Sequence, residues 1–436
     1  MFSPTVTGVQ SCSARHFLEM ASRLAVIQKQ ILAVPPGPTT TLRRGCGCGC
    51  RSGGLSMCST AAQAKKKEMN AGELVSRVVQ DVSGAMGVQV IYIGDKLGLF
   101  KMLAEAKDGM TSKALAEKAK CHIRYVETWC QAAVAHSFLE TETSFDVGSP
   151  DGSRRYWMTA AQKEVLATEG GRSFQCGAAQ LATASAGSTP MLIEKGFRNL
   201  AGGGISWAEL GDDAREGVAR MNGVALRDML PGWVKALPEA KRLLEKSGAK
   251  ILDVGCGVGK STFALASAFP NATIIGLDPD ESSIAAAQEE LMRHQLPNVQ
   301  FQQKFLEDLN PAEVSFDLIL AYDCIHDMPD PQHCLGLTSR LLRRSPSEGD
   351  GVVLWFEPHG SDNPYENRDL MGARMVATIA FQCVTTSMAM GGQGLGAHGC
   401  TPAKAEALAR RSGFQKFRRE TELKATKFRN NVYVLQ

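Results

Sequence analysis

Two patterns of apolar and polar residues divide this chain. Between about Glu73 and Leu103, apolar residues recur every three or four positions, which predicts amphipathic helix. From Lys250 to the end, short apolar runs alternate with helical stretches, which predicts an α/β fold with a doubly wound, mostly parallel sheet. Such a sheet binds its ligand at the carboxyl ends of the strands. The predicted strands are Ile251–Val254, Thr273–Leu277, Val299–Gln303, Asp317–Tyr322, Val352–Phe356 and Asn431–Leu435.

The pattern between these regions predicts a small helical domain with a wing. A helix over Lys113–Ala119, a turn and a second helix over Arg124–His136 precede two strands, Phe138–Thr141 and Arg155–Thr159. The Gly/Ser/Pro/Asp loop 148–153 joins the strands. Helix, turn, helix and two-stranded wing form the winged-helix pattern, which is common among DNA-binding proteins.

The charges on the second helix argue against DNA binding. From 124 to 135 it offers one cation, Arg124, and one anion, Glu127, whereas a DNA-reading helix presents several cations to phosphates and base edges. We therefore expect no nucleic-acid partner. The stretch from Ala160 to Pro238 is helical with glycine breaks, and its Gly-rich segment Phe197–Trp207 is interpreted as a surface loop or a mobile lid.

The chain's most informative motif follows the first predicted strand. Asp253 is followed by glycines at alternate positions, Gly255, Gly257 and Gly259, and then by a helical pattern. Glycines let the backbone turn tightly beside a ligand, and the following helix directs free N–H groups at it. Asp278 closes the second strand nineteen residues after Gly259, well placed for the hydroxyls of a ribose. The motif therefore predicts a nucleoside-bearing cofactor.

Two common nucleotide motifs do not fit this segment. A P-loop requires glycine at position 254, where this chain has Val254. The dinucleotide fingerprint requires glycine at position 260, where this chain has Lys260. The remaining pattern is D-x-G-x-G-x-G.

Charge is concentrated at the N-terminus. The net charge of +3 divides into +8 for residues 1–67, which contain nine Lys or Arg and one acid, and −5 for the rest. That composition is typical of an organellar transit peptide, mitochondrial or plastid, although an unstructured extension of a cytoplasmic protein has the same signature. The run Cys46–Cys50 has no zinc-site spacing, so no metal site is expected. No apolar run is long enough to span a membrane.

Residues 73–436 resemble winged-helix class I S-adenosylmethionine (SAM)-dependent methyltransferases, a largely uncharacterised, mainly bacterial branch related to plant small-molecule O-methyltransferases. Four segments carry the resemblance: Phe197–Trp207, Trp233–Pro238, the glycine motif, and Tyr322–Met328. It implies a Rossmann-like domain, SAM as cofactor, a small-molecule acceptor and a homodimer. The implied segments are 1–68 (disordered or transit), 69–168 (winged helix and dimerisation), 169–245 (helical linker and lid) and 246–436 (methyltransferase).

The resemblance also assigns site residues. His326 falls where plant enzymes carry the histidine that deprotonates the acceptor, and Glu357 where they carry its supporting acid. In the family, the acid before the glycines serves the methionine end of SAM and the acid after the second strand binds ribose. The implied cofactor residues are Asp253, Gly255, Cys256, Gly257, Gly259, Asp278, Pro279, Phe305, Leu306 and Asp323.

Two departures from the plant pattern leave alternatives open. Plant enzymes carry an acid after strand three that binds adenine, and this chain has Phe305 at that position. Phe305 could stack on the base, or Glu307 or Asp308 could take the role of the acid. Plant enzymes carry a lysine four residues before the histidine, and this chain has Tyr322 at that position. We expect methylation of a small acceptor at oxygen. N- or C-methylation without a histidine base, or an inactive SAM-binding regulator, are the alternatives.

Overall fold

The computed structural model describes residues 68–142, 153–347, 349–421, 423 and 430–436. The expected transit segment, the Cys46–Cys50 run and most of the expected wing loop lie outside these residues. The chain divides into two compact units, Met1–Gly84 and Ala85–Gln436. The described part of the first unit, residues 68–84, is almost entirely helical. Among the described helices, none combines the length and apolar character that a membrane span requires.

The helices have these bounds: α1 Ala71–Lys96, α2 Leu99–Glu105, α3 Ser112–Ala119, α4 Ile123–Ala135, α5 Ala160–Leu166, α6 Cys176–Gly187, α7 Thr189–Leu192, α8 Trp207–Leu210, α9 Asp212–Asp228, α10 Leu230–Ala236, α11 Pro238–Leu244, α12 Lys260–Ala268, α13 Glu281–His294, α14 Pro331–Leu341, α15 Leu370–Thr378, α16 Val384–Ala389 and α17 Pro402–Arg411. Two π-helical turns, Ile193–Phe197 and Ile379–Cys383, adjoin α7 and α15. The periodic stretch Glu73–Leu103 is thus two helices, because the backbone turns at Gly98 with φ of 68°.

A small three-stranded sheet accompanies α3 and α4. Its strands are β1 Met110–Thr111, β2 Glu140–Thr141 and β3 Arg155–Trp157, in the order β1-β3-β2. The Thr111 hydroxyl accepts the Ala114 N–H and caps α3. Leu115 and Trp129 from the two helices are buried with Tyr156 of β3 in one apolar cluster. This is the region in which the sequence predicts two helices and two strands.

The main sheet has seven strands in the order β6-β5-β4-β7-β8-β10-β9. The first five are parallel, and β10 is antiparallel to both of its neighbours. The strands are β4 Lys250–Val254, β5 Thr273–Asp278, β6 Val299–Gln303, β7 Leu318–Tyr322, β8 Val352–Pro358, β9 Phe417–Glu420 and β10 Asn430–Leu435. All six strands predicted from the pattern are present within two residues of their expected ends. The edge strand β9 was not predicted, because its sequence, Phe-Arg-Arg-Glu, has too little apolar character.

The topology fixes where a ligand can bind. From β4 the chain proceeds outward to β5 and β6 and then returns to β7 on the other side of β4. The loops after β4 and β7 therefore diverge to opposite faces of the sheet and leave a crevice at the carboxyl ends. Buried strands such as β7 and β8, which are mainly apolar on both faces, form the floor beneath it.

The Gly-rich loop before α8 is anchored. The Ile205 N–H donates to the Thr385 hydroxyl on α16 at 2.8 Å, and the Ile205 side chain is fully buried. A side chain at Gly204 would collide with the Thr385 carbonyl, because an added Cβ would lie 1.9 Å from that oxygen. The described structure therefore holds this loop against α16, and Trp207 beyond it lines the crevice.

Candidate active site

A cavity of about 620 Å³ occupies the crevice above the carboxyl ends of β4, β5, β6 and β7. Its walls also include α9 and the start of α16. A volume of this size suits a nucleoside-bearing cofactor together with a small second molecule.

The glycine turn forms one wall by bonding to the strand beside it. The N–H groups of Gly255 and Cys256 both donate to the Leu277 carbonyl, at 2.8 and 3.1 Å. Gly255, Gly257 and Gly259 all have positive φ, of 66°, 52° and 81°. A Cβ at Gly255 would lie 2.7 Å from the Cβ of Cys324, whereas one at Gly257 would meet nothing within 4 Å. The turn therefore packs closely against the loop after β7 and opens toward the cavity at Gly257.

Asp278 at the end of β5 lies in the cavity wall, where a ribose was expected. One carboxylate oxygen accepts the Gly257 N–H and the other accepts the Asp280 N–H, both at 2.9 Å. Burial raises the pKa of Asp278 despite these two hydrogen bonds. The carboxylate is thus fixed by backbone donors next to open space.

Asp253, which was expected at the methionine end, is buried and is not among the residues that line the cavity. It is 1% exposed and accepts hydrogen bonds from the hydroxyls of Ser261 and Thr262, both at 2.6 Å. Burial raises the pKa of Asp253 to about 6, and the two hydroxyls counteract that rise. In this structure Asp253 ties β4 to the first turn of α12, and its partner Ser261 lines the cavity.

The loop after β6 presents the residues considered for adenine. Phe305, Leu306, Glu307 and Asp308 all line the cavity. Phe305 is 53% exposed and Leu306 is buried. The Asp308 carboxylate accepts the Phe305 N–H at 2.9 Å and so closes this short turn. An exposed ring beside a buried leucine offers a flat apolar surface to a base.

The loop after β7 forms the opposite end of the cavity. Asp323 has a positive φ of 56°, which is uncommon for a residue with a side chain and marks stored strain. Its carboxylate accepts a long hydrogen bond of 3.4 Å from the side-chain amide of Asn222 on α9. Burial raises the pKa of Asp323 to about 6. Asp327, four residues on, also lines the cavity.

His326 and Glu357, the predicted catalytic pair, are in direct contact. Nδ1 of His326 bonds to Oε2 of Glu357, and Oε1 of Glu357 accepts the Trp355 indole N–H at 2.5 Å. The other ring nitrogen, Nε2, lies 3.1 Å from Oδ1 of Asp327 and 3.9 Å from Oδ1 of Asp323. Burial lowers the pKa of His326, but Asp327 and Glu357 outweigh it and raise that pKa well above its ordinary value.

The predicted residues divide by position. Those that line the cavity are Gly255, Cys256, Gly257, Asp278, Pro279, Phe305, Leu306 and Asp323. Four are outside the lining. Asp253 precedes the glycine turn and Gly259 ends it at the start of α12, whereas His326 and Glu357 lie behind Asp327.

Several lining residues were missed from the sequence. Asn222, Trp207, Asp327 and Thr386 all contribute to the walls. Asn222 and Thr386 lie more than 50 residues from the loop after β7 in sequence, so no local motif contains them. A polar Asn beside Gly223 within a helical pattern was the available signal for Asn222, because both residues disfavour a helix interior. Asp327 was visible as the neighbour of His326.

Comparison with known proteins agrees with this geometry. Residues 245–346 match a family model described as a methyltransferase domain. The trans-aconitate 2-methyltransferase of Deinococcus radiodurans is 37% identical over 99 residues, which are 23% of this chain and 36% of that enzyme. The chain thus spans about a third of that curated relative's length.

Solved structures resemble more of the chain at lower identity. An O-methyltransferase family protein from Burkholderia thailandensis has a TM-score of 0.58 at 16% identity, over 83% of this chain and 97% of its own. Human N-acetylserotonin methyltransferase, solved in complex with SAM, has a TM-score of 0.55 at 20% identity, over 84% and 99%. These likenesses establish the fold, and the chain carries a methyltransferase domain of the SAM-dependent type.

Proposed function

We propose that this protein transfers a methyl group from SAM to an oxygen of a small, partly apolar acceptor. The observation that carries the proposal is the single cavity that extends from Phe305 and Asp278, past the glycine turn, to Asp323 and Asp327. When bound, SAM supplies an electrophilic methyl group. The chain's residues hold the cofactor, orient the acceptor and receive its proton.

The cofactor end has the features that a nucleoside needs. The Asp278 carboxylate would accept hydrogen bonds from ribose hydroxyls, and Phe305 with Leu306 would cover the adenine. Gly257 leaves space for the ligand beside the turn. The cations that line the cavity among the described residues are Arg215, Lys260 and Lys304. Arg215 lies 3.7 Å from Asp280, and the other two adjoin the glycine turn and Asp278, so all three belong to this end.

The acceptor end favours a hydroxyl over a carboxylate. Asp323 and Asp327 are acceptors of hydrogen bonds when ionised, and no cation accompanies them in the described lining. A carboxylate acceptor, such as the trans-aconitate named for the Deinococcus enzyme, would be repelled here. A hydroxyl donates to these groups, and His326 with Glu357 stands behind them to stabilise the charge. A neutral amine would also donate, and this keeps N-methylation as the second candidate.

The test is methyl transfer by the full chain. The protein is incubated with SAM carrying a labelled methyl group and a panel of simple phenols, catechols, arylamines and aromatic carboxylic acids. We expect label on one or more hydroxyl compounds, with the product heavier by one methylene and the methyl on oxygen. Methylation confined to amines would favour the second candidate. Labelled carboxylic acids alone would contradict the charge argument.

We further propose that residues around α3 and α4 form a winged helix and that the protein is a homodimer. One face of α1 carries large apolar side chains with about half or more of their surface exposed: Leu74, Val75, Val78, Val79, Val82 and Met86. Such a stripe on a soluble protein marks a contact surface. A second copy of the same helix would cover it, because a two-fold axis pairs a stripe with itself.

Light scattering on the full chain tests the dimer. We expect twice the mass of one chain at micromolar concentration. The double substitution Val78→Glu with Val82→Glu should give a monomer, because it places charges on the apolar face. Gln80→Glu, a matched change at an exposed polar position on the same helix, should leave the dimer intact. A monomeric wild-type protein would contradict the proposed homodimer.

A further inference from the structure

Asn431 on β10 lies across from Glu357 on β8, the carboxylate that contacts His326. The antiparallel register pairs Asn431 and Glu357 directly. Residues paired in this way project their side chains from the same face of the sheet, with Cβ atoms about 4.5–5.5 Å apart. Asn431 is 1% exposed and Glu357 is fully buried. The amide of Asn431 therefore lies beside the Glu357 carboxylate in the interior of the protein.

A hydrogen bond from Arg419 fixes the orientation of this amide. Nη2 of Arg419, on the edge strand β9, donates to Oδ1 of Asn431 at 3.1 Å. A guanidinium has only donors, so the amide oxygen must face it. The amide nitrogen Nδ2 is then turned away from β9, and β8 is the neighbour of β10 on the other side. The positive end of the amide dipole thus faces the side on which Glu357 lies.

Nδ2 of Asn431 is a buried donor with no hydrogen-bond partner among the described residues. An unsatisfied buried donor destabilises a folded protein, so its presence calls for a physical reason. Both oxygens of Glu357 are already bonded, Oε1 to the Trp355 indole and Oε2 to Nδ1 of His326. The amide therefore acts on the carboxylate as a dipole and not as a hydrogen-bond donor.

Four side chains thus form a line of alternating charge across neighbouring elements of the sheet. Their order is Arg419 on β9, Asn431 on β10, Glu357 on β8 and His326 after β7. The guanidinium and the positive end of the amide both stabilise the ionised carboxylate. They also oppose a positive charge on the imidazole ring. Removal of either group should therefore make the ring hold a proton more tightly.

The other groups around the ring favour its protonation or are neutral. The carboxylates of Asp323 and Asp327 lie 3.9 and 3.1 Å from Nε2 and, with Glu357, attract a proton to the ring. Burial raises the pKa of four further titratable neighbours in the described structure, which are neutral as a result: Cys324, Cys383, Cys400 and Tyr433. Arg419 therefore supplies positive charge against three carboxylates.

We infer that Asn431 and Arg419 are positioning residues that act through Glu357 and let the His326 ring release its proton between turnovers. This inference rests on the proposed methyl transfer, with the ring as the group that takes up the acceptor's proton. The acceptor oxygen forms a bond to the methyl carbon, and the carbon–sulfur bond breaks with its electron pair left on sulfur. The O–H proton moves to the ring and is then released to water. Without Asn431 and Arg419, the carboxylates hold that proton more tightly.

The proton affinity of the ring is measurable without an acceptor. The full chain, labelled with ¹⁵N-histidine and saturated with S-adenosylhomocysteine, is titrated by NMR between about pH 5 and 10. Arg419→Gln keeps a donor for Asn431 but removes the charge, so we expect the pKa of His326 to rise by about 0.5–1 pH unit. Asn431→Leu should shift that pKa in the same direction. Arg419→Lys, which keeps the charge, should stay close to the wild type.

Arg418→Gln is the matched control for Arg419→Gln. Arg418 precedes Arg419 on β9, pairs with Val434, and projects from the opposite face of the sheet. Its guanidinium bonds to Glu239 and Glu420. Its loss should leave the pKa of His326 unchanged. An unchanged pKa in Arg419→Gln, or an equal rise in Arg418→Gln, would overturn the inference.

Turnover on any acceptor found in the panel gives a second readout. Because the neutral ring takes up the proton, a higher pKa of His326 moves the fall in kcat to higher pH. On the acid side of the profile, Arg419→Gln should be about three- to tenfold slower than the wild type, and the two rates should converge at high pH. A loss that is equal at every pH would show a purely structural role and contradict the inference. A protein that methylates nothing would refute the proposed function and leave the NMR test standing.

Discussion

The two ends of the cavity are held in place by different kinds of interaction. At the cofactor end, backbone groups hold the geometry, since Gly255 and Cys256 bond to a neighbouring strand and Asp278 is held by two backbone N–H groups. At the acceptor end, side chains hold one another, with His326 between the carboxylates of Glu357 and Asp327. One end depends on chain conformation and the other on buried charge.

This difference predicts how each end responds to change. A site fixed by main-chain donors keeps its shape when one contacting side chain is removed, and loses only that contact. A buried cluster of charges fails as a unit, because removal of one member leaves the others without compensation. Substitutions at the cofactor end should therefore alter affinity, and those in the buried cluster of His326, Glu357 and Asp327 should alter turnover.

The largest expected effect lies at the acceptor end. His326→Ala should lower turnover by about 10²–10⁴-fold, because Asp327 and Glu357 lose the charge that stabilises them. SAM affinity should change by no more than a few-fold, since the ring does not line the cavity. Single-turnover kinetics and calorimetry on the same preparation measure both. A folded variant with near-normal turnover would show that the cluster has no part in the chemistry.

A smaller effect is expected at the cofactor end. Asp278→Ala should weaken SAM binding by about 1.5–3 kcal/mol, the usual cost of losing hydrogen bonds to a charged group. Turnover at saturating SAM should remain close to wild type, which is the opposite pattern to His326→Ala. Unchanged affinity measured by calorimetry would remove Asp278 from the ribose site.

The smallest effect is a pH dependence of SAM affinity. Because burial raises the pKa of Asp323 to about 6, this carboxyl is ionised above that pH and neutral below it. The ionised form attracts the sulfonium, so SAM affinity should fall by a few-fold, roughly 1 kcal/mol, as the pH is lowered from about 7.5 to 5. S-adenosylhomocysteine, which lacks the positive sulfur, should lose less affinity. If Asp323→Asn retains the difference between the two ligands, another group causes it.

Local sequence was sufficient for the cofactor end. The strand, the alternating glycines and the acid after the next strand lie within 28 residues, from Ile251 to Asp278, and each has a direct structural reason. The exception is Asp253. Its position in the motif predicts a ligand contact, and the motif gives no sign that its carboxylate accepts hydrogen bonds from the hydroxyls of Ser261 and Thr262 in the first turn of α12.

The acceptor end could be predicted only in part. The histidine and the two acids are visible in the sequence, but their distances depend on how β7 and β8 align across the sheet. The contact of Asn222 with Asp323 joins residues 101 positions apart and leaves no local signal. The position of Asp327 in front of His326 is set by one short turn, which periodicity cannot resolve.

The most direct test of the cavity's identity is calorimetric titration of the full-length protein with SAM, NAD and ATP in parallel. The glycine turn, Asp278 and the Phe305 loop together favour SAM, and the sequence lacks the glycines that the other two ligands require. We expect SAM to bind at one site per chain, with no saturable heat from NAD or ATP. Saturable binding of NAD or ATP, or the absence of SAM binding by a folded protein, would contradict the assignment of this cavity to a methyl donor.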